Sequence, residues 1–244
     1  MEFQVTRGPT VRAQKVVLYG QHGIGKTTLA ARWPDAVFID TEGGSDGYDV
    51  ARLPTPDSWV TLLQEVAWAS SNIVGGTLVI DSTDWAERLC TSHVCAAKGW
   101  QDVEAPGYGK GYVAVKDEFA RLLKGLDLCV SMAVNVVLVA HEQITTITMP
   151  GDATGYSVYG LKLSKHVTPL VKEWADAVLY CHYKTTVLAI DKDGRHGRAL
   201  GGTERVIQTT HTATIDAKNR WGLPGEIPMS FDEIAPHIPG ADEE

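Results

Sequence analysis

The sequence lacks most of what marks secreted, membrane-spanning or strongly basic proteins. Four cysteines, Cys90, Cys95, Cys129 and Cys181, are spread over 244 residues with no C-x-x-C pair. That spacing argues against a disulfide scaffold, and buried free thiols in a reducing compartment are expected. Cys90, His93 and Cys95 are close in sequence but point in different directions on a helix, so no metal site is expected there. No apolar run reaches membrane-spanning length and no signal-type apolar core begins the chain, so it reads as cytoplasmic with no membrane partner. Positive charge is also scarce. Lys and Arg number 22 against 30 Asp and Glu, a formal net charge of −8. A basic nucleic-acid clamp is thereby disfavoured, while a locally basic loop or an oligomer groove stays open. Repeats and low-complexity tracts are absent, and the length suits one large domain with small appendages.

What is present is organised around Gly20, Gln21, His22, Gly23, Ile24, Gly25, Lys26 and Thr27, followed by Thr28. The run fits G-x-x-x-x-G-K-[ST]. Its glycines let successive backbone N–H groups point at phosphate oxygens, and its Lys reaches the β- and γ-phosphates. The Thr27 hydroxyl is suited to Mg²⁺. Context agrees. Lys15 to Tyr19 reads as a buried strand, and Thr27 to Trp33 as a short helix stopped at Pro34. ATP and Mg²⁺ are the cofactors this stretch implies.

Further strands are expected at 36–40, 77–81 and 135–140. Helices are expected from a Ser58 cap to about 70, over 83–98 and over 112–132. Trp85, Leu89 and Val94 read as the inward side of the second helix, and Val115, Phe119, Leu122, Leu123, Leu126 and Val130 as the stripe of the third. Residues 144–165, rich in Thr and Gly, read as a long functional loop. Thr168 and Pro169 suit the cap and first position of a helix to Trp174. Strands then crowd at 177–182, 185–191 and within 205–216, with a turn at Asp193-Gly194. Asp191 to Arg195 has too few ligands for a calcium loop and reads as that same hairpin turn. The alternation predicts an α/β, three-layer P-loop NTPase with a mainly parallel sheet extended by C-terminal antiparallel strands. Residues 1–14 form an arm, 15–224 the core and 225–244 an acidic tail frayed from Pro236 on.

Ligands bind at the C-terminal edge of such sheets, where Glu42, Asp81, Ser82 and His141 should collect. Asp81 follows four apolar residues and has the position of a carboxylate that holds Mg²⁺ opposite Thr27. Hydrolysis also needs a group that orients or deprotonates water. ATPases of the AAA+ type usually place a Glu directly after this Asp. Here that residue is Ser82, and Glu42 is the nearest suitable acid.

Phe38-Ile39-Asp40-Thr41-Glu42 resembles the strand and catalytic Glu of RecA-like recombinases. Asp46 and Tyr48 fall near that family's adenine contacts. His141 and Gln143 fall where a strand-terminal side chain senses the γ-phosphate. The loops 99–111 and 143–165 fall where RecA-like proteins bind DNA. Ala217-Lys218-Asn219-Arg220-Trp221-Gly222-Leu223-Pro224 resembles the family's K-N-[KR] segment followed by Pro. The order over about 15–224 is similar to phage-encoded RecA-like ATPases linked to single-strand annealing, sometimes called Sak-type. The resemblance implies a RecA-like sheet, catalytic roles for Lys26, Glu42, His141, Lys218 and Arg220, and single-stranded DNA as partner. It further implies a homo-oligomeric ring or filament in which Lys218 and Arg220 reach a neighbour's γ-phosphate, a single-strand-binding protein as further partner, and a host cytoplasm. The arm is short for a RecA-style packing helix and no large DNA-gathering domain follows, so ATP-dependent binding or annealing is expected rather than strand exchange.

Two features stay open. Tyr108, Lys110 and Tyr112 in a glycine-rich loop suit base stacking or a structural turn equally. A nucleotide-dependent switch or helicase-loader-type module remains the alternative to a DNA-acting ATPase. A small-molecule kinase is disfavoured because 143–165 contains no Arg for a lid.

Overall fold

The computed structural model describes residues 5, 7, 8, 10–148, 155–189 and 197–241, with side chains outside 186–200. Among the described residues there are ten strands: β1 (Lys15–Gly20), β2 (Ala36–Asp40), β3 (Ala51–Arg52), β4 (Thr77–Asp81), β5 (Asn135–Ile147), β6 (Tyr156–Leu161), β7 (Ala177–Ala189), β8 (Gly197–Gln208), β9 (Lys218–Asn219) and β10 (Glu226–Pro228). The helices are α1 (Lys26–Ala30), α2 (Trp59–Asn72), α3 (Thr83–Lys98), α4 (Lys110–Ser131) and α5 (Val167–Trp174).

The main sheet runs β10-β8-β7-β1-β5-β4-β2-β3. From β7 to β3 every pairing is parallel, and β8, β9 and β10 add antiparallel. This is the predicted three-layer α/β fold with its antiparallel extension. The central strands are apolar along their whole length because both faces are covered. Val17, Tyr19, Ile39 and Leu78 pack with α2, α3, α4 and α5 on one side. Val16, Leu18, Phe38 and Val79 pack with α1 on the other. That second side is thin, since α1 has only five residues. Ile227, Ile234 and Ile238 complete it, so the segment read as a tail supplies core side chains. Residues 242–244 lie outside the described residues.

Several elements differ from the sequence reading. Residues 144–165 are not one loop. β5 continues to Ile147 and pairs antiparallel with β6, from Glu142↔Leu161 to Ile147↔Tyr156. The β-branched run Ile144 to Ile147 carries that signal, and residues 149–154, with Pro150, lie outside the described residues. The strands read at 177–182 and 185–191 are one strand, β7, irregular between Tyr183 and Thr185. The turn read at Asp193-Gly194 lies outside the described residues. α5 begins at Val167 with His166 in the cap position, two residues earlier than a Thr168 cap allows, and the His166 side chain makes no capping hydrogen bond. Pro169 still sits in the first turn, where a backbone N–H has no helical acceptor. Trp85 is 36% exposed and faces out, under the Arg88 guanidinium at 4.5 Å, instead of inward with Val94. Ser58 does cap α2, accepting from the Thr61 N–H at 3.2 Å.

Among the described residues, no helix is long and apolar enough to cross a membrane. The four cysteines are buried free thiols.

Candidate nucleotide-binding site

β1 ends at Gly20 and α1 begins at Lys26, so the loop between them sits at the C-terminal edge of the parallel strands. Gly20 is required by contact. A Cβ there would lie 2.1 Å from the Cys181 carbonyl oxygen of neighbouring β7. Gly25 caps α1 with φ of 107°, a left-handed conformation that other residues adopt at a cost. Ile24 is fully buried and anchors the loop in the core, while Gln21, His22 and Gly23 are exposed.

A cavity of about 350 Å³ opens over the loop. Its walls include His22, Gly23, Gly25, Lys26, Thr27 and Thr28, and across from them Glu42, Asp81 and His141. Lys26 Nζ donates to the Gly20 and Gln21 carbonyls at 2.9 and 2.8 Å. Burial lowers its pKa below the usual lysine value, with Cys181 and Asp81 opposing. The Thr27 hydroxyl donates to Asp81 Oδ2 at 2.7 Å. Burial raises the Asp81 pKa and this hydrogen bond opposes the rise. A hydroxyl and a carboxylate meeting beside a phosphate loop form the oxygen donor set a hard divalent cation takes.

Glu42 is fixed by its neighbours. β2 pairs with β4 so that Asp40 faces Asp81, which brings residue 42 beside residue 82. Ser82 Oγ donates to Glu42 Oε2 at 3.3 Å. Glu42, from the adjacent strand, thus stands beside Ser82, the residue that follows the strand-terminal Asp81. Thr41 and Ser82 clasp the two strand ends, with Thr41 Oγ1 donating to the Ser82 carbonyl at 2.8 Å and accepting from the Ser82 N–H at 2.9 Å. Sequence reading missed the role of Asp40. Its carboxylate accepts from the N–H groups of Glu42, Gly43, Gly44 and Ser45 at 2.7–3.3 Å and pins the loop that carries Glu42. Burial pushes its pKa up, but these donors outweigh it and the pKa is lowered. An Asp before a Gly-Gly-Ser run is the available signal, since Asp bonds its own downstream backbone in turns.

Asp84 was missed as well. It is buried in the first turn of α3, and its carboxylate faces His141 Nδ1 at 3.0 and 3.1 Å and accepts from the His141 N–H at 3.2 Å. Burial raises the Asp84 pKa, the His141 hydrogen bonds outweigh it, and the net shift is downward. This contact turns His141 Nε2 toward Glu42, at 3.8 Å from Oε2. His22 stacks on the His141 ring with centroids 3.8 Å apart, and burial, His141 and Lys26 lower its pKa. His22, Glu42 and His141 offer ligand atoms within 4.8 Å of one another. The two rings are nearly parallel, at 26°, so their in-plane lone pairs do not converge on one ion without rotation.

Lys218 and Arg220 lie elsewhere. β9 pairs with the first residues of β7, at the N-terminal edge of the parallel strands, opposite the loop. Lys218 Nζ caps α5, donating to the carbonyls of Lys172, Glu173 and Ala175. Arg220 bonds Asp176 at 3.1 Å. Asp216, two residues before Lys218, pairs with Lys172. Of the residues near the adenine spacing, Tyr48 lines the cavity, while Asp46 pairs outward with Arg52. Arg205, on β8, also lines the cavity and was not read from the sequence.

Fold and site together define a class, the P-loop ATPases. A family model described as AAA domain matches residues 12–221, and the chain belongs to that family. No curated protein matches it.

Proposed function

We propose that this protein binds and hydrolyses ATP with Mg²⁺ and couples that cycle to single-stranded DNA. The observation that carries the ATPase part is the cavity in which the Thr27–Asp81 contact faces Glu42 and His141 across the phosphate loop. When bound, Mg²⁺ supplies positive charge at Thr27 and Asp81. Lys26 exchanges its two loop carbonyls for phosphate oxygens, so its charge is transferred to substrate without moving the helix. Glu42 orients and deprotonates the attacking water, held in place by Ser82 and by the turn on Asp40. His141, fixed through Nδ1 by Asp84, presents Nε2 to the terminal phosphate.

The DNA part is supported by continuity. His141 is followed in the same strand by Gln143, whose Nε2 donates to the Leu161 and Leu163 carbonyls at 2.6 and 2.9 Å. The β5–β6 hairpin is thereby joined to the residue that faces the terminal phosphate. A groove of about 610 Å³ separates this hairpin from Glu104 and Tyr112. Tyr108, between Glu104 and Tyr112 in the chain, is fully exposed, as base stacking requires, while Tyr112 stacks on His166 and bonds Glu104. Assembly into a ring or filament belongs to the same reading. There Lys218 and Arg220 act on a neighbour's nucleotide, once assembly frees them from α5 and Asp176.

The test is ATP turnover with and without single-stranded DNA, alongside Lys26→Ala. Turnover by the parent, loss in the variant and an unchanged melting temperature are expected. Parental turnover in the variant removes the site assignment. Absence of DNA binding at low salt with an ATP analogue bound turns the reading to a nucleotide-dependent switch, because phosphate contacts are strongest at low salt.

A further inference from the structure

Arg205 has no part in the mechanism above, yet it sits on the phosphate loop. β8 holds it in register with Tyr183 of β7, which itself lies beside β1. Its carbonyl accepts from the Met229 N–H at 3.1 Å, fixing the backbone against the C-terminal segment. A Cβ placed on Gly25 would lie 3.0 Å from Arg205 Nη1 and 4.0 Å from Cζ, so the guanidinium lies directly over the last glycine of the loop. Arg205 lines the loop cavity and also a second cavity of about 290 Å³, which Gly25 and Thr28 share. Glu42, Asp81 and His141 line the first cavity and not the second.

We propose that Arg205 binds the nucleotide's phosphate chain in cis, at the phosphate nearest the nucleoside. The inference rests on the ATP reading and adds a specific contact to it. A chain whose terminal phosphate lies by Glu42 and His141 passes over Gly25 on its way to the second cavity, beneath the guanidinium. Asp40, Glu42 and Asp81 put three carboxylates around the first cavity, so Lys26 and a bound Mg²⁺ must offset these as well as a polyphosphate. A guanidinium adds charge and a planar fork that bonds two phosphate oxygens at once. A contact at that end is made by ATP and ADP alike, and equally in the ground and transition states. Such uniform binding sets affinity and KM and leaves kcat alone.

The experiment is calorimetric titration of the parent, Arg205→Ala and Arg205→Lys with ATP and with ADP in Mg²⁺, beside steady-state turnover. Arg205→Ala is expected to weaken both nucleotides by about ten- to a hundredfold, the worth of a charge-assisted hydrogen bond. Its kcat at saturating ATP should stay within about twofold of the parent. The Lys variant should recover part of the affinity, having the charge without the fork. Weakening of ATP alone, or a fall in kcat at unchanged affinity, places the guanidinium at the terminal phosphate and overturns the proposal. Parental affinity for both nucleotides in Arg205→Ala removes the contact and leaves the ATP reading standing. A parent that binds neither nucleotide removes both.

Discussion

The two edges of the parallel sheet carry similar residues and use them in opposite ways. At the N-terminal edge, charges are consumed by the fold. Asp176 is buried and accepts from Arg12 at 2.7 Å, from Arg220 at 3.1 Å and from the Lys15 N–H at 3.2 Å. Lys218 closes the end of α5, and Asn135 joins the Gln14 N–H to the Pro239 carbonyl. At the C-terminal edge, the contacts are ones a ligand can replace. Lys26 rests on loop carbonyls, Thr27 on Asp81, and Glu42 on one serine, all facing an open cavity. A cation is therefore a poor guide to chemistry until its partners are known. Lys218 and Arg220 are held by backbone carbonyls and a buried acid, whereas Arg205 lies over the loop.

Substitutions at the two edges should separate activity from stability. The largest effect is expected from Glu42→Gln, which keeps volume but loses the base. Turnover should fall by roughly 10²–10⁴, with ATP still bound and the melting temperature unchanged. Unchanged turnover would take Glu42 out of the mechanism. Asp176→Ala should do the reverse. It strips the Lys15 N–H and two guanidiniums of a shared acceptor, and a loss of about 2–3 kcal/mol is expected in denaturant titration, with nucleotide affinity retained. A stable variant that loses ATP would break the division between the edges.

Lys218→Ala should cost about 1 kcal/mol by uncovering the last carbonyls of α5. This position also tests action between subunits. If Lys218→Ala/Arg220→Ala protein regains turnover when mixed with Lys26→Ala protein, the cations serve a neighbour's site as well as their own helix. No recovery from folded, co-assembling proteins confines them to structure. The smallest effect concerns pH. The folded-state pKa of Asp84 is lowered, so its stabilising contribution is present above the unfolded value near 3.9 and is lost as pH falls through the folded value. Melting temperature should therefore drop more steeply on acidification below about pH 4 in the parent than in Asp84→Asn. Parallel curves would show that the His141 contact does not stabilise the charged carboxylate.

The central elements were legible because they depend on local pattern. Apolar runs marked the strands ending at Asp40 and Asp81 and the first part of β5, and the glycine run marked the loop between β1 and α1. Register of β2 against β4 was not legible, yet it decides that Glu42 stands beside Ser82. The hairpin of β5 and β6 was hidden because Gln143 to Ile147 and Tyr156 to Leu161 lack a continuous apolar run and pair with each other beyond the main sheet. Asp84 and His141 are 57 positions apart, and Arg220 and Asp176 are 44 apart. No local spacing predicts such contacts.

By itself, then, the sequence determined the strand–loop–helix unit at 15–30, because hydrogen bonding and steric limits there act between near neighbours in the chain. Only the tertiary structure decided which charges are free to meet a ligand. Burial and partner choice depend on strand order, and strand order brought Arg205 to the loop while it locked Lys218 and Arg220 to the opposite edge.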